Sequence, residues 1–218
     1  METEFWRSRW QQQEIGFHQQ RVHELLREHW RRLGLARGAK VFVPLCGKTL
    51  DMAWIADEGH SVIGAELSEI AIAQFFAERG LTPTLRTCEG FVVSEADRYQ
   101  LWCGDIFDLP HSAVAGIAGV YDRAALIAFP LSMQERYAAK LKSLLPDNPP
   151  ILLIALDYDQ SQMQGPPFAT SRAQIRKLFA DRYEVDELVC RSVLDETPRL
   201  KERGLTALEE CALLLRRT

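Results

Sequence analysis

Val41-Phe42-Val43-Pro44-Leu45-Cys46-Gly47-Lys48-Thr49, with Glu66 nineteen residues beyond Gly47, reads as strand, tight turn, helix, strand and acid. The apolar run Val41 to Pro44 stops at a turn holding one glycine. Leu50, Ala53 and Trp54 then recur at helical spacing, and Asp51 falls in the first turn, where the helix dipole favours a negative charge. Gly59 ends that helix. A second apolar run, Ser61 to Ala65, delivers Glu66 to the carboxyl end of the next strand, where an acid about 20 residues past a glycine turn can accept hydrogen bonds from both hydroxyls of a ribose. Taken singly, Glu66 reads equally well as a solvated strand-end acid.

The chain on either side supports an alternating α/β fold. Phe5 to Leu33 reads as an appended helical segment, with Val22, Leu25, Leu26, His29 or Trp30, and Leu33 forming one apolar stripe. Phe5, Trp6, Trp10 and Phe17 are more aromatic surface than a simple surface helix needs. They either complete the core, the commoner role of such residues, or line a pocket for planar molecules. Downstream, Ser68 is placed to cap a helix ending at Gly80, and strands are expected near Thr84 to Thr87, Phe91 to Val93 and Tyr99 to Cys103, with a hairpin turn over Ser94 to Arg98. A further strand, Ile117 to Tyr121, ends at Asp122-Arg123, and a short helix spans Ala124 to Phe129. Ser132-Met133-Gln134-Glu135 has the form of a capping box opening a helix to Leu145. Ile151 to Leu156 is another strand, Ser171 caps a last helix, and Tyr183 to Cys190 and Cys211 to Leu215 have the spacing of a terminal antiparallel pair. Strands alternating with helices predict a mostly parallel sheet covered on both faces, whose ligands bind outside the carboxyl ends of the strands. Leu45-Cys46-Gly47, Glu66, Asp105 and Asp122-Arg123 all fall at such ends.

Composition narrows the function classes. The 218 residues, 47% apolar and 26% charged, suit one globular domain, residues 1–218, and argue against disorder. A net charge of -4 offers no positive field for nucleic acid. The five cysteines lack any Cys-x-x-Cys spacing and read as reduced thiols of a cytoplasmic protein; the amino terminus lacks a secretory apolar region, and no apolar run reaches membrane-spanning length.

Several motifs fail on their spacing. Gly47-Lys48-Thr49 would need a glycine at position 42 to be a phosphate-binding P-loop, and that position is Phe42. A single glycine in the turn does not make the three-glycine dinucleotide fingerprint. The residue four after His23 is Arg27, so no zinc-protease helix is present, and the other histidines have no paired ligand spacing; no metal is expected. A one-glycine turn with a ribose-binding acid and no phosphate cradle suits an adenosine ligand without phosphates, and S-adenosylmethionine is such a ligand. Glu66 would hold the ribose, Leu45 to Gly47 would pass the methionine part, and Asp105-Ile106 would bracket the adenine.

Phe5-Trp6, Trp10, Gly16-Phe17-His18-Gln19, Val43-Pro44-Leu45-Cys46-Gly47-Lys48, Gly59-His60-Ser61-Val62-Ile63-Gly64, Ile106-Phe107-Asp108-Leu109-Pro110, Asp122-Arg123 and Gly165-Pro166-Pro167-Phe168 together resemble the thiopurine S-methyltransferases, in particular their bacterial members. The resemblance spans nearly the whole chain. It implies a Rossmann-like methyltransferase fold with a seven-stranded sheet, and an amino-terminal helical extension, residues 1–35, that closes over the site. It further implies S-adenosylmethionine contacts at Trp10, Leu45, Glu66 and Arg123, with Asp105 and Ile106 in the adenine loop, and an acceptor side formed by Phe17, Arg123 and Arg199. Arg123 would orient the acceptor or bind the cofactor carboxylate. The expected activity is methyl transfer to the sulfur of small aromatic thiols, or to selenium or tellurium compounds, by a monomer. A non-catalytic adenosine-binding module and an NAD-dependent oxidoreductase are the alternatives.

Overall fold

A computed structural model describes residues 3–218, which form two compact units: one of residues up to Glu28 together with Gly34–Tyr121, the other of His29–Leu33 with Asp122–Thr218. The first unit contains α1 (Thr3–Gln11), α2 (Glu24–His29), β1 (Lys40–Pro44), α3 (Leu50–Asp57), β2 (Ser61–Glu66), α4 (Glu69–Glu78), β3 (Thr84–Cys88), β4 (Phe91–Ala96), β5 (Tyr99–Cys103) and β6 (Ile117–Asp122), the last residues of α2 and β6 falling across the boundary. β1 pairs in parallel with β2 on one side and β6 on the other, so the strand order reverses at β1. In open α/β sheets such a reversal opens a crevice at the strands' carboxyl ends.

β5 pairs in parallel with β2, but β3, β4 and β5 form an antiparallel meander. Its tight turns force that direction, since a parallel return needs a helix-sized crossover. Glu89 and Gly90 have φ of 48° and 85°, as a two-residue hairpin turn of primed type requires. β4 continues through Ser94 to Ala96, so the expected turn at Ser94–Arg98 shrinks to Asp97 and Arg98.

The second unit carries short 3-10 turns at Trp30–Leu33 and Leu126–Ala128, then α5 (Leu131–Leu144), β7 (Ile151–Asp157), α6 (Arg172–Phe179), β8 (Tyr183–Ser192), α7 (Pro198–Glu202) and β9 (Glu209–Arg217). β9 lies antiparallel between β7 and β8, confirming the terminal pair. The described residues thus hold nine strands where seven were expected. The sheet is mixed, not mostly parallel, because the β3–β4 hairpin and the β7–β9–β8 group add antiparallel pairings. Cys190 and Cys211 stand directly opposite one another on β8 and β9 with Cα atoms 4.1 Å apart and are joined by a disulfide. That corrects the expectation of five reduced thiols; Cys46, Cys88 and Cys103 are free.

Local signals explain most boundaries. The Ser68 and Ser171 hydroxyls accept from Ala71 N and Gln174 N, capping α4 and α6 as expected. Ser132 is not the cap: α5 starts two residues earlier than that box implies, after Pro130, with no side-chain cap. Gln134 of the expected capping box instead donates to Phe129 O at 3.0 Å and to Thr170 Oγ1 at 2.9 Å. Of the amino-terminal stripe, Leu25, Leu26, Trp30 and Leu33 are buried. No helix among the described residues is long and apolar enough to cross a membrane.

Candidate active site

β1 ends at Pro44, and the chain then turns through Leu45, with φ of 47°, and Gly47, with φ of 51°. Glycine takes that conformation freely, whereas in leucine the left-handed region costs about 1–3 kcal/mol, and such strain collects at functional sites. Sequence gives no sign of it, because leucine rarely adopts it. Cys46 N donates to Ala65 O at 3.0 Å, so the turn leaves the β1–β2 ladder only at its tip. Cys46 is buried, and a Cβ on Gly64 would lie 2.7 Å from its sulfur; the glycine that ends Ser61-Val62-Ile63-Gly64 is what lets the turn close on β2.

Glu66 is the anchor of this arrangement. It is buried, its Oε2 accepts from Gly47 N at 2.8 Å, and its Oε1 accepts from Ser68 N at 2.8 Å. Burial raises the carboxyl's pKa, while the N–H groups of Ser68, Gly47 and Leu67 pull it down. With about four lone-pair sites and three N–H donors, the carboxylate keeps acceptor capacity for a ribose hydroxyl. The bland reading of Glu66 as a solvated strand-end acid is therefore excluded by its burial. Burial first, and then the Glu66 charge, push the Cys46 thiol well above its ordinary range, so Cys46 is no nucleophile.

Gly104 N donates to Glu66 O at 2.9 Å, bringing the β5 end beside the β2 end. Asp105 Oδ1 accepts from Phe107 N at 2.9 Å, which spends one of its oxygens on the turn, and Ile106 is buried. Trp10, at the end of α1, is buried with its ring over the turn: a Cβ on Gly47 would meet Trp10 Cζ2 at 3.2 Å. Gly47 is thus favoured twice, by its φ and by the tight approach of the indole above it. Phe17 is 45% exposed and packs edge-on against Trp10 and Trp6, with centroids 5.7 and 5.4 Å away. Trp10, Leu45, Glu66, Asp105 and Ile106, five residues expected from the sequence, therefore belong to one linked set in the first unit, with Phe17 attached through Trp10. Arg123 and Arg199 lie in the second unit, Arg123 half-buried just after β6 and Arg199 exposed on α7.

Sequence reasoning missed Asp51. It is buried, accepts from His23 N at 2.8 Å and from Tyr121 Oη at 3.0 Å, and thereby ties the amino-terminal segment and β6 to α3. Its place in a first helical turn suggested only a dipole role.

The model of the family described as thiopurine S-methyltransferase matches residues 1–218. The chain belongs to the thiopurine S-methyltransferase family. It is 47% identical over 210 residues to the thiopurine S-methyltransferase of Pseudomonas fluorescens strain Pf0-1, covering 96% of each chain. It is also 47% identical to that of Shewanella sp. strain MR-7, over the whole of both. Among solved structures, a SAM-dependent methyltransferase from Anabaena variabilis superposes with a TM-score of 0.67 at 13% identity, covering 99% of this chain and 95% of that one. A Burkholderia thailandensis 1,6-didemethyltoxoflavin-N1-methyltransferase with bound S-adenosylhomocysteine gives 0.65 at 17% identity, covering 99% and 87%. Membership of this family makes the chain an S-adenosylmethionine-dependent methyltransferase, and the anchored Glu66 beside a turn without a phosphate cradle fits that cofactor.

Proposed function

We propose that this enzyme methylates the sulfur of small aromatic or heterocyclic thiols, with thiopurines as the type of acceptor named for its relatives. The observation that carries the reading is the buried Glu66 carboxylate, fixed by Gly47 N and Ser68 N with acceptor capacity left for a ribose. Bound S-adenosylmethionine would supply a sulfonium methyl whose carbon an acceptor thiolate can attack in line, the new sulfur–methyl bond forming as the sulfonium–methyl bond breaks and S-adenosylhomocysteine leaves. The residues of this chain bind and align. Glu66 holds the ribose, Leu45 and Gly47 pass the methionine portion, Asp105 and Ile106 flank the adenine, and Trp10 covers the turn. Phe17 offers an aromatic face to a planar acceptor, Arg199 lies on the acceptor side, and Arg123 orients the acceptor or pairs with the cofactor carboxylate. An aromatic thiol is already ionised in part near neutral pH, so alignment matters more than a strong base. On this reading residues 1–35 serve as a lid, residues 1–218 act as one catalytic domain, and the enzyme is a cytoplasmic monomer.

Methyl transfer to a panel of thiopurines, thiophenols and selenite tests the acceptor class. Turnover of the thiols is expected; turnover of selenite alone would replace sulfur with selenium. Calorimetry should show binding of S-adenosylmethionine in the micromolar range and none of NAD. Arg123→Ala divides the two roles of that residue: lost acceptor turnover with unchanged S-adenosylmethionine affinity would exclude the carboxylate role.

A further inference from the structure

Asp122 closes β6 and is 1% exposed. Its Oδ1 accepts from Ala125 N at 3.1 Å and Leu126 N at 3.3 Å, and its Oδ2 accepts from the Tyr137 hydroxyl at 2.7 Å. Asp122, Ala125 and Leu126 are buried, while the two residues looped out between them, Arg123 and Ala124, are half-buried and exposed. The carboxylate therefore pins both ends of a turn that carries Arg123 and Ala124. Downstream the same segment is held again, by Phe168 N donating to Ile127 O at 2.7 Å and by Gln134 at Phe129 O. Gln134 and Tyr137 stand three residues apart on α5, so one helix face secures the whole stretch. A buried carboxylate with three donors and no other duty assigned to it is a device for fixing backbone.

We infer that Tyr137, acting through Asp122, is a positioning residue for Arg123: the hydroxyl fixes the carboxylate, the carboxylate fixes the turn, and the turn sets where the guanidinium is presented. The inference rests on the role given to Arg123 above. Neither Asp122 nor Tyr137 touches a ligand in this scheme. Burial raises the Asp122 carboxyl to about 6, and the bonds from Tyr137, Leu126 and Ala125 hold it from rising further. The Tyr137 hydroxyl itself stays protonated, pushed up by burial and by the Asp122 charge. Tyr137 is the titratable group that reaches Asp122 from α5, and Arg123 is its neighbour in the chain.

Tyr137→Phe keeps the ring and its packing on Phe129 while removing the hydroxyl. Circular dichroism would verify the fold, and calorimetry and steady-state kinetics would then be compared with Arg123→Ala. Tyr137→Phe should weaken by about tenfold whichever affinity Arg123→Ala weakens, the value of a buried hydrogen bond to a charged group. The double variant should be no worse than Arg123→Ala alone, because a misplaced turn then has no guanidinium to misplace. Wild-type affinities in Tyr137→Phe, or losses that simply add, would overturn the proposal. If Arg123→Ala itself bound both ligands normally, the reading of Arg123 would fail and the proposal with it. Asp122→Asn gives a second check. The wild-type affinity should fall as pH drops through about 6, since protonation turns one carboxylate oxygen into a donor and weakens the acceptance of all three bonds. That limb should move to higher pH in Tyr137→Phe and vanish in Asp122→Asn; a limb unmoved in both contradicts the scheme.

Discussion

Glu66 is held by backbone groups at nineteen and two residues' distance, so its position survives changes in its charge better than its chemistry does. Glu66→Gln keeps one acceptor oxygen but turns the other into a donor facing an N–H group. It should weaken S-adenosylmethionine binding by about tenfold or more, a penalty of roughly 1.5–3 kcal/mol for a charged hydrogen bond, as calorimetry would measure. Wild-type affinity in that variant would mean that the ribose lies elsewhere. At this scale the sequence was readable where chemistry follows from spacing, as for Gly47 and Glu66. Asp51 and Asp122 were not, because their roles depend on Tyr121 and Tyr137, partners 70 and 15 residues away that no local pattern joins. The strained Leu45 left no trace either, since its conformation is imposed by its surroundings and not by leucine.

Helices with an orthodox cap were legible to within a residue or two, as α4 and α6 show, whereas α5 was misjudged at its start because it opens behind Pro130 with no side-chain cap to mark it. Strand existence was legible and strand direction only in part: the terminal antiparallel pair was, but the other antiparallel pairings were not, since apolar runs look alike whichever way the neighbour runs. The β8–β9 pair adds a covalent constraint absent from that reading. The disulfide closes the connection that contains α7 and Arg199, at a sequence separation of 21. In the chain-entropy account such a loop contributes about 3 kcal/mol. Cys190→Ser with Cys211→Ser should therefore lower the melting temperature by several degrees, and wild-type protein under strong reductant should follow it. Equal melting temperatures for oxidised and reduced wild type would show that the bond does not form in solution.

Across the molecule, buried acids set how stability responds to pH. Asp122 has a folded pKa of about 6, above the roughly 3.9 of an unfolded chain, so the native state takes up a proton first as pH falls. Its contribution to stability is thus least above pH 6 and grows between about 6 and 4, by roughly 3 kcal/mol in the limit. Denaturant titrations should show this component missing in Asp122→Asn. It runs opposite to the ligand affinity expected over the same window, so stability and binding can be told apart.

The buried Asp51 carboxylate also has a mechanical meaning. Because His23 N is bonded to it, His23 is held to α3, while α1 packs on α4 and meets the turn through Trp10. Any opening motion of α1 must bend between Gln11 and His23, which places the hinge within one irregular segment holding Gly16. Hydrogen exchange should find the amides of Thr3–Gln11 fast in the free protein and slowed by S-adenosylmethionine, with those of Leu25–His29 slow throughout. If both stretches responded together, the amino-terminal segment would be moving as one body, and Asp51 would not be the fixed end.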